Sequence, residues 1–133
     1  GGGKYSGVIS KFLDRIGEGK PPIIYGDGEQ TRDFVHVRDI VRANMLAFKT
    51  SNNISGQVFN IGTRSAVSIN ELCRTILELT GEEDKSPIYK ESREGDVRYS
   101  EADVKKARER LEYQPEISLK EGLETIISKR DDL

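Results

Sequence analysis

Two Ser-x-x-Glu boxes limit how this chain can be divided into elements. Ser68-Ile69-Asn70-Glu71 and Ser118-Leu119-Lys120-Glu121 each place a hydroxyl where it can accept from the backbone three residues on, so each marks a helix start. Behind the first, Ile69, Leu72, Cys73, Ile76 and Leu77 form an apolar stripe that stops at Gly81. Behind the second come Leu119, Leu123, Ile126 and Ile127. Helical spacing recurs at Ile9, Phe12, Leu13 and Ile16, halted by the Gly/Pro-rich run Gly17 to Pro22. It recurs again at Ile40, Ala43, Leu46 and Ala47, with Asp39 as the expected cap. A further helix is predicted from a Ser100 cap to Leu111, with Val104, Ala107 and Leu111 inward and Pro115 beyond.

Only short runs remain for strands. They are Ile23 to Tyr25 with Gly26-Asp27-Gly28 as its turn, Phe34 to Val37, Gln57 to Ile61 ending at Gly62, and Lys85 to Glu91, followed by a loop from Arg93 to Arg98. Helices and strands mix without strict alternation or repeat. The predicted class is therefore α/β of an α+β-like kind, a small mixed sheet with about five helices, and not a self-contained doubly wound sheet. At 133 residues and 35% hydrophobic content there is room for one core-forming unit. Gly1-Gly2-Gly3 has nothing to pack and reads as an added leader or a cut loop, leaving residues 4–133 as the domain.

The charge balance excludes some partners. With 21 basic against 23 acidic residues, net −2, there is no global field to attract nucleic acid or an anionic membrane, so any anion site has to be local. The run Lys105 to Arg110 reads as a solvated helix face, since Glu109 interrupts it and no aromatic interleaves. No apolar stretch has the length of a membrane span and no secretory signal is recognisable. Cys73 is the only cysteine, so it is a core residue with no disulfide partner, and the cytoplasm is the default location. His36, the sole histidine, has no triad or metal-ligand spacing around it and is expected to make a structural hydrogen bond. No metal site is predicted.

Two arginines stand out. Arg32 lies in Tyr25-Gly26-Asp27-Gly28-Glu29-Gln30-Thr31-Arg32-Asp33-Phe34-Val35-His36-Val37, and Arg93 in Ser92-Arg93-Glu94-Gly95-Asp96. Each adjoins a carboxylate, Asp33 or Asp96, able to orient a guanidinium fork for bidentate phosphate contact, and a diphosphate needs two such forks. Gly95 lets backbone approach a ligand closely. Tyr25 and Ile23 share one face of their strand, and Asn60 sits inside an apolar run where an unsatisfied amide is costly.

The stretch Ile23 to Ala47, followed in order by Val58-Phe59-Asn60-Ile61-Gly62, Arg93-Glu94-Gly95-Asp96, Ala102-Asp103 and Leu119-Lys120-Glu121-Gly122-Leu123, resembles the carboxyl-terminal part of extended short-chain dehydrogenases/reductases acting on nucleotide sugars, most closely the UDP-glucose 4-epimerases. The resemblance implies that Arg32 and Arg93 hold a UDP-sugar's diphosphate, that Asp96 accepts a ribose hydroxyl, and that Tyr25, Ile23 and Asn60 lie near the nucleoside. It implies NAD as the parent's cofactor. Yet no tyrosine here is followed by lysine four positions on, and the nearest approach to a dinucleotide fingerprint, Gly26 to Thr31, lacks its third glycine and runs into a predicted strand. A missing amino-terminal nucleotide domain is therefore expected to carry catalysis and NAD, with none bound by this chain. Alternatives of the same ancestry are a 4,6-dehydratase or decarboxylase piece, or a noncatalytic binding module. Loss of the nucleotide domain is expected to uncover Ile40, Leu46, Phe59 or their neighbours and to promote self-association.

Overall fold

A computed structural model describes residues 6–96, 98–99 and 104–131. The expectations for Gly1 to Gly3, for the Ser100 cap and for Ala102-Asp103 lie outside these residues. Five helices and four short strands follow one another as α1 (Ser6–Gly17), β1 (Ile23–Tyr25), β2 (Thr31–Arg32), α2 (Val37–Lys49), β3 (Val67–Ser68), α3 (Ile69–Leu79), β4 (Ile88–Lys90), α4 (Lys105–Leu111) and α5 (Leu119–Asp131). The strands form two ladders. β1 pairs parallel with β4, Ile23 opposite Ile88 and Tyr25 opposite Lys90, and β2 pairs antiparallel with β3, Thr31 opposite Ser68. A single parallel bridge between Thr31 and Tyr99 extends β2. None of the described helices is long and apolar enough to cross a membrane.

Both serines cap their helices. Ser68 Oγ accepts from the Glu71 amide at 3.0 Å and Ser118 Oγ from the Glu121 amide at 3.1 Å, so α3 and α5 begin where their hydroxyls satisfy otherwise orphaned donors. The stripes they launch meet in a first core. Phe12, Leu13 and Ile16 of α1, Ile24 of β1, Ile69, Leu72, Cys73, Ile76 and Leu77 of α3, and Leu123 of α5 are buried together. At roughly 1.5–3 kcal/mol for each large apolar side chain, this cluster supplies most of the drive that fixes β1 beside α1 and α3. Cys73 is core, as its position on the stripe predicts, and burial pushes its thiol up to about 11. A second, smaller core gathers Ala43, Val104, Ala107, Leu111 and Tyr113, with Leu46, Ala47, Ile54, Phe59 and Ile61 packed against it.

Several local expectations are corrected. Phe34 to Val37 is not a strand: the ladder stops at Arg32 and α2 already begins at Val37. Its N-cap is His36, whose Nδ1 accepts from the Arg38 amide at 3.0 Å, so the structural role expected of this histidine is helix capping. Asp39, expected as the cap, lies within the first turn and is only 1% exposed. Its carboxylate accepts from the amides of Glu116 and Ile117 and pairs with Arg42 at 3.3 Å, tying α2 to the segment before α5. Gln57 to Ile61 joins no ladder. The alternation survives, with Gln57, Val58 and Asn60 outward and Phe59 and Ile61 half-buried, but a strand also needs a neighbour for its backbone, and the described residues supply none. Helix α4 starts at Lys105, with Val104 as an N-cap lacking a side-chain bond.

Candidate functional site

The first core places a cleft at the end of β1. Because Ile24 points into that core, strand alternation turns Ile23 and Tyr25 the other way, and both line a cavity of about 220 Å³ between β1, α1 and the loop after β4. Val8, Lys11 and Phe12 of α1 close one side, and Arg93, Glu94, Gly95 and Asp96 the other. Gly7, Ile24, Gln30, Arg32 and Ile69 complete the lining.

The turn that brings Arg32 into this cleft is built from backbone constraints. Gly26 and Gly28 have φ of 86° and 77°, and a Cβ on Gly28 would lie 2.1 Å from Asn70 Oδ1, so any side chain there would be strained and would have to push the Asn70 amide aside. Asn70 fills the turn, donating to the Asp27 carbonyl at 3.0 Å and to Glu29 at 2.6 Å while its Oδ1 accepts from the Tyr89 hydroxyl at 2.7 Å. Asp27 in turn accepts from Arg98 at 2.8 Å, and that guanidinium together with the Glu29 amide holds its carboxyl below the usual carboxylate range. With its turn packed by Asn70 and leading into β2 and not into a helix, Gly26-Asp27-Gly28 offers no helix amino terminus to a pyrophosphate. The residues present do not fit a dinucleotide here.

Arg32 is 2% exposed, donating from Nη1 to the Thr31 carbonyl and from Nη2 to Asp96 Oδ1, both at 2.6 Å. Its carboxylate partner is thus Asp96 and not the adjacent Asp33. Asp33 is used elsewhere: it accepts from the amides of Thr63 and Arg64 and from the Thr63 hydroxyl, and so fixes the loop in which Arg64 has φ 59°. Arg93 does not pair with Asp96 as adjacency suggested; its guanidinium carbon stacks 4.0 Å above the Tyr25 ring. The proximity of Arg93 holds the Tyr25 phenol below its ordinary range. Gly95 has φ 78°, and a Cβ there would meet nothing, so the glycine serves the bend that lets Arg93 and Asp96 face the cleft together.

Five of the six residues singled out in the sequence, Ile23, Tyr25, Arg32, Arg93 and Asp96, therefore share one cleft. Asn60 does not line it; it is exposed on the segment beside the second core. One residue was missed. Gln30, 8% exposed, donates from Nε2 to the Tyr25 carbonyl at 2.9 Å and to Asp96 Oδ2 at 3.4 Å. Its spacing of two from Arg32, which puts both on one side of an extended chain, was the available signal. Among the described residues no group of three or more His, Cys, Asp or Glu side chains could hold a metal ion. The cleft offers two guanidinium groups and the Lys11 ammonium, the carboxylates of Glu94 and Asp96, and an aromatic-aliphatic wall, a set suited to an anionic group attached to a flat polar ring.

The chain as a whole is similar to proteins already known. Residues 1–62 match the NAD dependent epimerase/dehydratase family. The crystal structure of a UDP-glucose 4-epimerase from Thermotoga maritima with UDP-glucose is 43% identical and superposes with a TM-score of 0.85 over 94% of this chain and 39% of that one. A UDP-glucuronic acid 4-epimerase from Bacillus cereus, solved with UDP-glucuronic acid and NAD, is 32% identical with a TM-score of 0.87 over 94% and 40% of the two chains. A UDP-N-acetyl-alpha-D-glucosaminuronate decarboxylase from Bacillus cytotoxicus is 32% identical over 94% of this chain and 40% of its own length. The chain spans 36–40% of the length of four curated relatives it matches. It belongs to the NAD dependent epimerase/dehydratase family of extended short-chain dehydrogenases/reductases, with the fold of the carboxyl-terminal portion of its UDP-sugar epimerases.

Proposed function

We propose that this chain is the UDP-sugar-binding portion of an NAD-dependent nucleotide-sugar 4-epimerase, the parent interconverting UDP-glucose and UDP-galactose. The observation that carries the reading is the convergence of Arg32, Arg93 and Asp96 on one cleft walled by Ile23 and Tyr25. Arg32 and Arg93 engage the diphosphate, Asp96 accepts a ribose hydroxyl, and Ile23 and Tyr25 line the nucleoside side. Asn60, outside the cleft, takes no part. Holding the nucleotide firmly leaves the hexose free to turn over between two half-reactions, so these residues act through positioning. NAD, bound in the parent by residues outside this chain, supplies the hydride chemistry.

A second reading, a nucleotide-sugar decarboxylase parent, is favoured by the 32%-identical decarboxylase, and it uses the same anchor. The test is titration calorimetry of the chain with UDP-glucose, alongside a coupled epimerase assay with NAD. Binding without turnover is expected. Turnover above background, or no binding of any UDP-sugar, would refute the assignment of this chain as the anchor, and carbon dioxide release by the parent from a UDP-uronic acid would favour the second reading.

A further inference from the structure

Arg32, assigned above to a diphosphate, is already engaged by a carboxylate of its own chain. Arg32 Nη2 donates to Asp96 Oδ1 at 2.6 Å, while Gln30 Nε2 reaches the other carboxylate oxygen at 3.4 Å. The same amide is tethered to the Tyr25 carbonyl at 2.9 Å, so Gln30 is anchored to β1 as it holds Asp96 against the guanidinium. The arginine side chain is 3% exposed, but Asp96 keeps 28% of its side chain open, so the pair can part only by movement of the carboxylate.

Resting on the nucleotide-sugar reading, the geometry points to Asp96 as a resident counter-anion, held on Arg32 by Gln30, that an incoming diphosphate displaces and that a ribose diol re-engages. A bare diphosphate takes the Arg32 donor and leaves the Asp96 carboxylate beside fresh negative charge with no new donor. A nucleoside diphosphate returns two hydroxyl donors to the freed carboxylate. Discrimination between a nucleotide and inorganic diphosphate then arises from this exchange, with no additional phosphate contact, because only one of the two ligands repairs what it breaks. Gln30 is a positioning residue in this scheme; it sets the resting place of Asp96 and touches no ligand.

Titration calorimetry of the 133-residue chain with inorganic pyrophosphate and with UDP tests this, using wild type, Asp96→Ala and Gln30→Met, with circular dichroism on each protein. Asp96→Ala is expected to bind pyrophosphate roughly three- to tenfold more tightly and UDP more weakly by a similar factor. Gln30→Met, which leaves the charge in place but releases it, should move both affinities in the same directions by less. Opposite signs for the two ligands cannot come from a loss of folding. Unchanged or weaker pyrophosphate binding by Asp96→Ala overturns the exchange, and so does a gain in Asp96→Ala with none in Gln30→Met, which is through-space repulsion alone. If wild type binds UDP but the pyrophosphate affinities stay flat, only the exchange fails; if wild type does not bind UDP, the nucleotide-sugar reading fails.

Discussion

Replacing Arg32 by alanine separates an anchoring role from a structural one. The guanidinium is 3% exposed and its ion-pair partner Asp96 is 28% exposed, so in the variant the carboxylate can rehydrate and is not left stranded. The stability lost is therefore moderate, about 1–3 kcal/mol, from the pair, the donor withdrawn from the Thr31 carbonyl and the missing aliphatic stem. Binding is affected differently. Hydrogen bonds to a charged group are worth about 1.5–3 kcal/mol, so UDP-glucose affinity in Arg32→Ala should fall roughly 10- to 150-fold. Arg32→Lys keeps the charge but presents a single point where the fork presented two donors, so it should recover only part of the loss. Calorimetric titration gives the affinity, and a thermal melt on the same samples gives the stability. Wild-type affinity in Arg32→Ala, or full recovery in Arg32→Lys, would show that this arginine does not hold a diphosphate.

The remaining expectations are narrower. Tyr25 should titrate below an ordinary phenol because Arg93 lies over it, and Arg93→Ala should return it to the ordinary range when phenolate absorbance is followed with pH. Asp39→Ala strips the acceptor from the Glu116 and Ile117 amides and one of the partners of Arg42, and should destabilise the chain by about 1–3 kcal/mol for each amide left without an acceptor, read from denaturant midpoints. Val37, Val41, Met45 and Phe48 form an exposed stripe along α2, with Phe48 90% exposed, so the isolated chain should self-associate, and light scattering across a concentration series should show mass rising with concentration. Phe48→Ser should reduce it.

Features decided within a few residues were legible in advance. Ser68 and Ser118 cap through bonds three residues long, and the stripes behind them go where helical spacing sends them. The Ile23/Tyr25 face of the cleft followed from strand alternation. What escaped was decided at a distance. β3 is two residues long and exists only because Thr31 and Arg32 pair with it. Adjacency suggested Asp33 for Arg32 and Asp96 for Arg93, whereas the folded chain gives Asp96 to Arg32 and Asp33 to Thr63. Leu46 and Phe59 were expected to be uncovered but pack on the second core, while Ile40 and Val58 are exposed. Gln57 to Ile61 has a strand's pattern without a strand's partner among the described residues, a distinction no local pattern carries.

The division of the apolar residues into two cores means that the binding cleft and helix α2 need not share a fate. Val8, Phe12, Ile24 and Ile69 of the cleft belong to or pack on the cluster of α1, β1, α3 and α5, whereas α2 and α4 rest on the smaller one around Tyr113. Amides in the smaller unit should therefore exchange with deuterium through partial openings that leave those of β1 and α3 protected. Limited proteolysis that nicks the loop from Ser51 to Gly56 should leave the cleft assembled, and the anchor would outlast the half of the chain that does not form it.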